Sequence, residues 1–266
     1  YNTHGGYFTH RALPLLSRNR PIIWRLSDMW PLTGHCAYSL DCERWKTGCG
    51  SCPLLYEYPA LSRDTTGLLW RIKKRAYDRS NLVIVATNRW MERVVQASPL
   101  LQRFPLHRIP NGIDTDTFKP IHKTHAKQAL GIPVNSRVVL FSENVAKTET
   151  WKGGGYVVPL MKRLSEGSRQ HCVLIAMGEG ADQWPDVEGY QTVRIEFTRS
   201  DALMAIVYSA ADLLIHPALV DNLCNVVLES MSCGTPVAAF DVGAASETVQ
   251  HMETGYLAKL RDEQDL

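Results

Sequence analysis

Short runs of β-branched and aliphatic residues alternate along the chain with stretches of helical apolar spacing, and this alternation restricts the fold more than any other feature. The runs fall at 21–26, 82–86, 106–109, 137–142, 172–177, 192–197, 213–216 and 237–240. Apolar spacing and breakers predict helices over 65–78, 89–97, 154–166, 200–210, 225–233 and 245–250. Strands alternating with helices make a doubly wound parallel sheet, so the expected class is α/β. At 266 residues the chain suits two such domains, or one large one. The boundary is expected at Pro110-Asn111-Gly112-Ile113-Asp114, where a turn follows a strand and the polar stretch 119–127 comes next. This makes 1–114 an N-terminal domain and 115–266 a C-terminal one.

Composition narrows the function classes. With 45% hydrophobic and 21% charged residues the chain has an ordinary soluble composition, and a net charge of +2 offers no electrostatic reason to invoke nucleic acid. No apolar run approaches the roughly eighteen residues of a membrane span. Seven cysteines, an odd number, fit a reducing, cytoplasmic compartment better than a disulfide framework. The chain opens on Tyr1 with no initiator Met and no signal-peptide pattern, so it is expected to be a fragment.

The densest chemistry lies in 216–255. The strand 213–216 ends at Pro217, the chain crosses Asp221, Asn222, Leu223 and Cys224, and a helix begins at about Asn225. A helix start presents unpaired N–H groups and partial positive charge, which suits an anion such as a diphosphate. Glu229 stands four residues after Asn225, on the same helical face, and its carboxylate can accept two hydroxyls of a ribose diol. Asp221 could hold hydroxyls of a sugar beyond the diphosphate. Gly234 stops the helix, and Asp241-Val242-Gly243 forms a second turn at the same sheet edge, where ligands of open α/β sheets bind.

The segment Leu228-Glu229-Ser230-Met231-Ser232-Cys233-Gly234-Thr235-Pro236-Val237, with an acid eight positions before the Glu, resembles the donor-site signature of retaining glycosyltransferases of the GT-B fold, family four, also called glycosyl transferases group 1. Ile109-Pro110-Asn111-Gly112-Ile113-Asp114 is similar to the interdomain segment of that family, and Met177-Gly178-Glu179-Gly180 to the turn after its second C-terminal-domain strand. Trp151-Lys152-Gly153 resembles its phosphate-binding lysine-glycine element, for which a solvated surface lysine is the plainer alternative. Asp28-Met29-Trp30-Pro31-Leu32-Thr33-Gly34-His35-Cys36 resembles a subset acting in surface-polysaccharide assembly.

The resemblance implies two Rossmann-like doubly wound domains truncated at both ends, an acceptor side in 1–114 and a nucleotide-sugar donor site in 115–266. It implies transfer of a hexose, with retention and without a required metal or cofactor, from a nucleotide diphosphate sugar to a glycan or lipid-linked acceptor. Glu229, Asp221, Lys152 and His4 would serve catalysis. Lys152, Gly153, Gly178, Glu179, Phe197, Asn222, Leu223, Cys224, Asn225 and Glu229 would hold the donor. Phe197-Thr198 falls where base contacts are expected, although a core phenylalanine is the other reading of Phe197. His4, in a glycine-flanked context, reads equally as structural.

Two departures stand against the family pattern. Ser27 occupies a position where the family often has His, and Phe141-Ser142-Glu143-Asn144 lacks the Arg that usually accompanies the phosphate-binding Lys. They leave open a non-catalytic sugar-nucleotide-binding module, or a scaffold partner of an active transferase.

Two further features lie in the first half. Cys36, Cys42, Cys49 and Cys52 share the long loop 30–62, which such a length would not order cheaply without a staple. Four thiolates could wrap a structural zinc, and reduced thiols or a disulfide pair are the alternatives. The basic helical stretch 69–77 carries an apolar stripe that could lie peripherally on the inner face of an anionic membrane, or pack against its own sheet.

Overall fold

The computed structural model describes residues 9–142, 150–166, 171–222 and 225–266. The chain divides into two compact units, one of Tyr1–Asn111 with Val220–Leu223 and one of Gly112–Leu219 with Cys224–Leu266. The return of Val220–Leu223 to the first unit has no local signal in the sequence.

The first unit runs α1 (Leu13–Leu16), β1 (Ile22–Arg25), α2 (Thr66–Tyr77), β2 (Leu82–Ala86), α3 (Arg89–Gln96) and β3 (Leu106–Arg108). Its three strands are parallel in the order β1-β2-β3, with Ile22 opposite Leu82 and Ile84 opposite Leu106. Trp24, Leu26, Tyr77, Leu82, Ile84, Met91 and Val95 form its buried interior. Asn88 starts α3 by accepting the Met91 N–H at 2.7 Å, which satisfies one of the unpaired first-turn donors.

Helix α2 buries Trp70, Lys73, Ala76 and Tyr77, a stripe at helical spacing. The apolar face of the basic stretch 69–77 is therefore packed inside the unit, against the membrane-facing reading. The same face ties down the loop between β1 and α2. The Lys73 ammonium donates to the carbonyls of Trp30 at 2.5 Å and Thr33 at 3.0 Å, and stands 4.0 Å from the centre of the Trp30 ring. Tyr77 donates to Pro31 O, and Trp70 Nε1 to Trp45 O. Asp64 accepts the N–H groups of Cys52 and Thr66.

The zinc expectation is corrected here. Cys36, Cys42, Cys49 and Cys52 line one cavity as free thiols, yet among the described residues no group of three or more His, Cys, Asp or Glu could hold a metal ion. Desolvation pushes the Cys36 thiol up to about 12 and the Cys49 thiol up to about 11. The loop is held instead by side chains of α2 and by Asp64, a staple that cysteine spacing does not reveal.

The second unit runs α4 (Lys123–Ala129), β4 (Arg137–Ser142), α5 (Val157–Glu166), β5 (Cys172–Gly178), β6 (Tyr190–Glu196), α6 (Asp201–Ala210), β7 (Leu213–His216), α7 (Asn225–Ser232), β8 (Val237–Phe240), α8 (Ala245–Thr248) and β9 (Gly255–Ala258). Its six strands are all parallel in the order β6-β5-β4-β7-β8-β9. The chain thus winds one way from β4 through β6 and the other way from β7 through β9, reversing between β4 and β7. Strand residues alternate between two cores. Val138, Leu140, Val173 and Ile175 pack with α6, while Phe141, Leu174 and Ala176 pack with Val157, Leu160 and Met161 of α5. Both faces are covered, as parallel sheets require. The described residues contain no helix long and apolar enough to cross a membrane.

Two elements escape the apolar pattern. Helix α4 overlaps the polar stretch 119–127, where no helix is expected, because its inward residues include a lysine. Lys127 is buried and donates to Ser136 O at 2.7 Å, with the Asp212 carboxylate 3.4 Å away. Strand β9 is only four residues and opens on a glycine. A side chain at Gly255 would meet Val237 O at 2.2 Å, so the strand pairs there only because that side chain is missing.

Candidate functional site

The register of the second sheet brings its strand ends to one edge. Ser142 lies opposite Met177, Gly178 opposite Glu196, and Phe141 opposite Ile215, so the loops after β4, β5, β6 and β7 all leave from the carboxyl side. At the point between β4 and β7 where winding reverses, strand ends diverge and leave a crevice.

The Trp151-Lys152-Gly153 element sits at this reversal. Leu219 N–H donates to Trp151 O at 2.8 Å. Gly153 has φ +71, and a Cβ built on it would stand 1.8 Å from Pro217 O. No other residue type fits that contact without moving the loop. The lysine-glycine element is thereby fastened to the segment that follows β7. The Lys152 ammonium lies 4.4 Å from the centre of the Trp151 ring, an arrangement in which the ring face attracts the cation.

The turn after β5 is held by Glu196, at the end of β6. Its carboxylate accepts the N–H of Asp182 at 3.0 Å and of Gly180 at 3.3 Å, and the Asp182 backbone bond leads the causes that keep it below the usual range. Gly178 and Gly180 adopt φ of 139 and 78, left-handed positions that the Gly-Glu-Gly sequence supplies cheaply. The next residue after β6, Phe197, is 64% exposed. The core reading of Phe197 is thus corrected: the strand ends at Glu196, and its ring projects beyond both cores.

Glu229 lies in the second turn of α7 and is partly buried. Its Oε2 accepts the Tyr208 hydroxyl of α6 at 2.7 Å. Desolvation raises its carboxyl above the ordinary value, opposed by the Tyr208 bond. Asn225 is the first residue of α7 and is exposed.

The remaining site candidates fall in the first unit or outside the described residues. Asp221 and Asn222 cluster with the first unit. Asn222 is buried, and its groups already have partners there. Its N–H donates to the Tyr38 hydroxyl, its Nδ2 to Leu26 O, and its Oδ1 accepts Thr87 Oγ1 and Asn88 Nδ2. Its amide is committed to protein rather than open to a phosphate. Ser27 accepts a hydrogen bond from Arg25 Nη1 at 3.3 Å. His4, Leu223 and Cys224, and the segment 143–149 where the family places its Arg, lie outside the described residues. Sequence reasoning missed Tyr208 and Glu196, since each acts through another residue and neither belongs to a local motif.

Comparison with known proteins bears chiefly on the second unit. The model of the family described as Glycosyl transferases group 1 matches residues 136–266. Residues 136–266 are thus similar to the group 1 glycosyl transferases. Among curated glycosyltransferases, D-inositol 3-phosphate glycosyltransferase of Thermobispora bispora is 28% identical over 204 residues, covering 71% of this chain and 48% of that protein. WcaC of Escherichia coli K12, named as a colanic acid biosynthesis glycosyl transferase, is 26% identical over 236 residues, covering 86% of this chain and 54% of its own length. The chain thus spans about half the length of these glycosyltransferases. Among solved structures, Anabaena HepE in complex with UDP and glucose aligns at TM-score 0.64 and 21% identity, over 97% of this chain and 64% of that one. At that identity the likeness is one of fold, the GT-B arrangement of parallel sheets flanked by helices.

Proposed function

We propose that the protein containing this chain transfers a hexose, with retention, from a nucleoside diphosphate sugar to a glycan or lipid-linked acceptor, using no required metal. The observation that carries this reading is the fastening of Trp151-Lys152-Gly153 onto Pro217 and Leu219, at the reversal point of the donor-side sheet. The similarity of 136–266 to the group 1 glycosyl transferases and the UDP found in the HepE structure support a nucleotide-sugar donor. The relation to WcaC supports a surface-polysaccharide acceptor.

The chemistry follows from charge. Breaking the bond between sugar and diphosphate leaves negative charge on the departing nucleotide while the sugar becomes oxocarbenium-like. Catalysis is then chiefly stabilisation of the leaving group. Lys152 supplies a point charge, and N–H groups at the start of α7 add partial positive charge. Glu229 accepts the ribose diol, the turn at Gly178 and Glu179 admits the nucleotide closely, and Phe197 offers a face to the base. Asp221 and His4 remain candidates for the transferred sugar and its surroundings. The reading includes a cytoplasmic location with peripheral contact at the inner membrane face where the acceptor is lipid-linked.

The test is release of nucleoside diphosphate by the full-length protein from a panel of UDP-, GDP- and ADP-sugars, with Glu229→Ala and Lys152→Ala alongside. Turnover of one donor, reduced by both substitutions, is the expected result. Saturable binding without turnover of any donor would convert the reading to a non-catalytic binding module. Turnover unaffected by either substitution would remove the proposed site.

A further inference from the structure

A carboxylate that selects a ribose diol must hold one rotamer before the ligand arrives, because each hydroxyl bond depends on angle as well as distance. Glu229 is a flexible, partly buried side chain of α7, and its backbone alone does not fix where the carboxylate points. Its partner supplies that constraint. Tyr208 is fully buried near the end of α6, with its ring 6.2 Å from Phe118. Its carbonyl accepts Thr235 Oγ1 at 2.7 Å, and Thr235 also donates to Ala211 O at 3.2 Å, which fastens the end of α6 to the turn after α7. The neighbouring Ser209 Oγ accepts the Ile121 N–H at 3.1 Å. The phenol is thus anchored at its ring and at its backbone, and only its hydroxyl reaches out to Glu229.

We infer that Tyr208 is a positioning residue for nucleotide recognition: its hydroxyl takes one lone pair of Glu229 Oε2 and so presents Oε1 to the ribose diol of the donor. Among the described residues no hydrogen bond to Oε1 is recorded, which leaves that oxygen for the ligand. The inference rests on the donor reading above and adds a residue to it that lies in no family motif. The groups around the carboxylate bear on its charge as well. Burial raises its pKa, Tyr208 lowers it by bonding to the charged form, and Asp201 at the start of α6 raises it. Cys233, just after α7, is itself pushed up to about 11 by burial and is neutral at physiological pH. Tyr208 is therefore the one group among these that favours the ionised, diol-accepting form.

The experiment uses full-length protein and measures, by calorimetry, affinity for UDP, ADP and GDP and for the 2′,3′-dideoxy form of whichever binds. Tyr208→Phe keeps the buried ring volume and removes only the hydroxyl. It is expected to weaken the ribonucleotide about tenfold, as loss of a hydrogen bond to a charged group does, while leaving the dideoxy form unchanged. It is also expected to move the acid limb of binding to higher pH, which a purely structural role would not do. In a Glu229→Gln background, Tyr208→Phe should cost little more, since the two act as a unit. Wild-type affinity in Tyr208→Phe, or an equal loss for ribo and dideoxy forms, overturns the inference while a ribonucleotide-selective loss in Glu229→Gln keeps the donor reading. No nucleotide binding by the wild type overturns both.

Discussion

Gly153 and Pro217 touch so closely that a Cβ on the first would stand 1.8 Å from the carbonyl oxygen of the second. This contact ties the lysine-glycine loop to the end of β7, the place where a doubly wound sheet binds its ligand. A methyl at Gly153 must displace one segment or the other, and it also sits at φ +71, strained for any side chain. Gly153→Ala is expected to lower kcat/KM for donor turnover about 100-fold, the effect of misplacing a charged group by about 1 Å. Wild-type kcat/KM with only a lowered Tm would show that the contact serves the fold and not the site.

Phe197 gives a prediction of the opposite kind. At 64% exposure it contributes little to either core, so Phe197→Ala should leave Tm unchanged within about 1 °C. If its ring stacks on the base, nucleotide affinity should fall about tenfold, within the range of one base–aromatic contact. Unchanged affinity measured by calorimetry would remove Phe197 from the site.

Asn222 separates stability from ligand binding. Truncation to Ala strips buried partners from Leu26 O, Thr87 and Asn88. Each orphaned buried group costs about 1–3 kcal/mol, so Asn222→Ala should destabilise by roughly 3 kcal/mol in urea denaturation. Unchanged stability together with lost nucleotide binding would return Asn222 to the phosphate site.

The first unit should gain stability as pH rises, by two separate groups. His10, packed among Trp24, Trp30 and Tyr77, is lowered to about 3 by burial and then by Lys73. The unfolded chain takes up that proton below about 6.5 and the folded chain does not, so stability falls as pH drops from about 6.5 towards 3. Lys73 is lowered to about 7 by burial, against an unfolded value near 10.5. Between those values the unfolded state binds more protons, and stability rises with pH through that window. Urea midpoints across pH should show both limbs, with His10→Phe flattening the acid one and Lys73→Met the alkaline one. Midpoints that fall between pH 7 and 8, below the range near 9 where unfolded Cys36 and Cys49 thiols ionise and begin to oppose this trend, would contradict the assignment.

How much of this was legible beforehand depends on how local each determinant is. The strands over 82–86, 137–142, 213–216 and 237–240 stand at their expected bounds, because runs of branched residues between breakers carry their own signal. Helix α4 did not announce itself, since a buried lysine satisfied by Ser136 and Asp212 looks polar in sequence. The thiol-rich loop suggested a metal, whereas its staples come from α2, dozens of residues away in the chain. The same holds for the site. Lys152, Gly153 and Glu229 sit in recognisable motifs, but what aims them does not: Pro217 O, Glu196 and Tyr208 act across space.

The central claim is that the Lys152 element stabilises charge on the departing nucleotide. The most direct measurement is kcat for donor turnover in full-length wild type and Lys152→Ala, with donor Kd measured in parallel. A charge met mainly in the transition state predicts kcat lower by about 100-fold or more, with a much smaller change in Kd. Equal kcat in the two proteins would contradict the account.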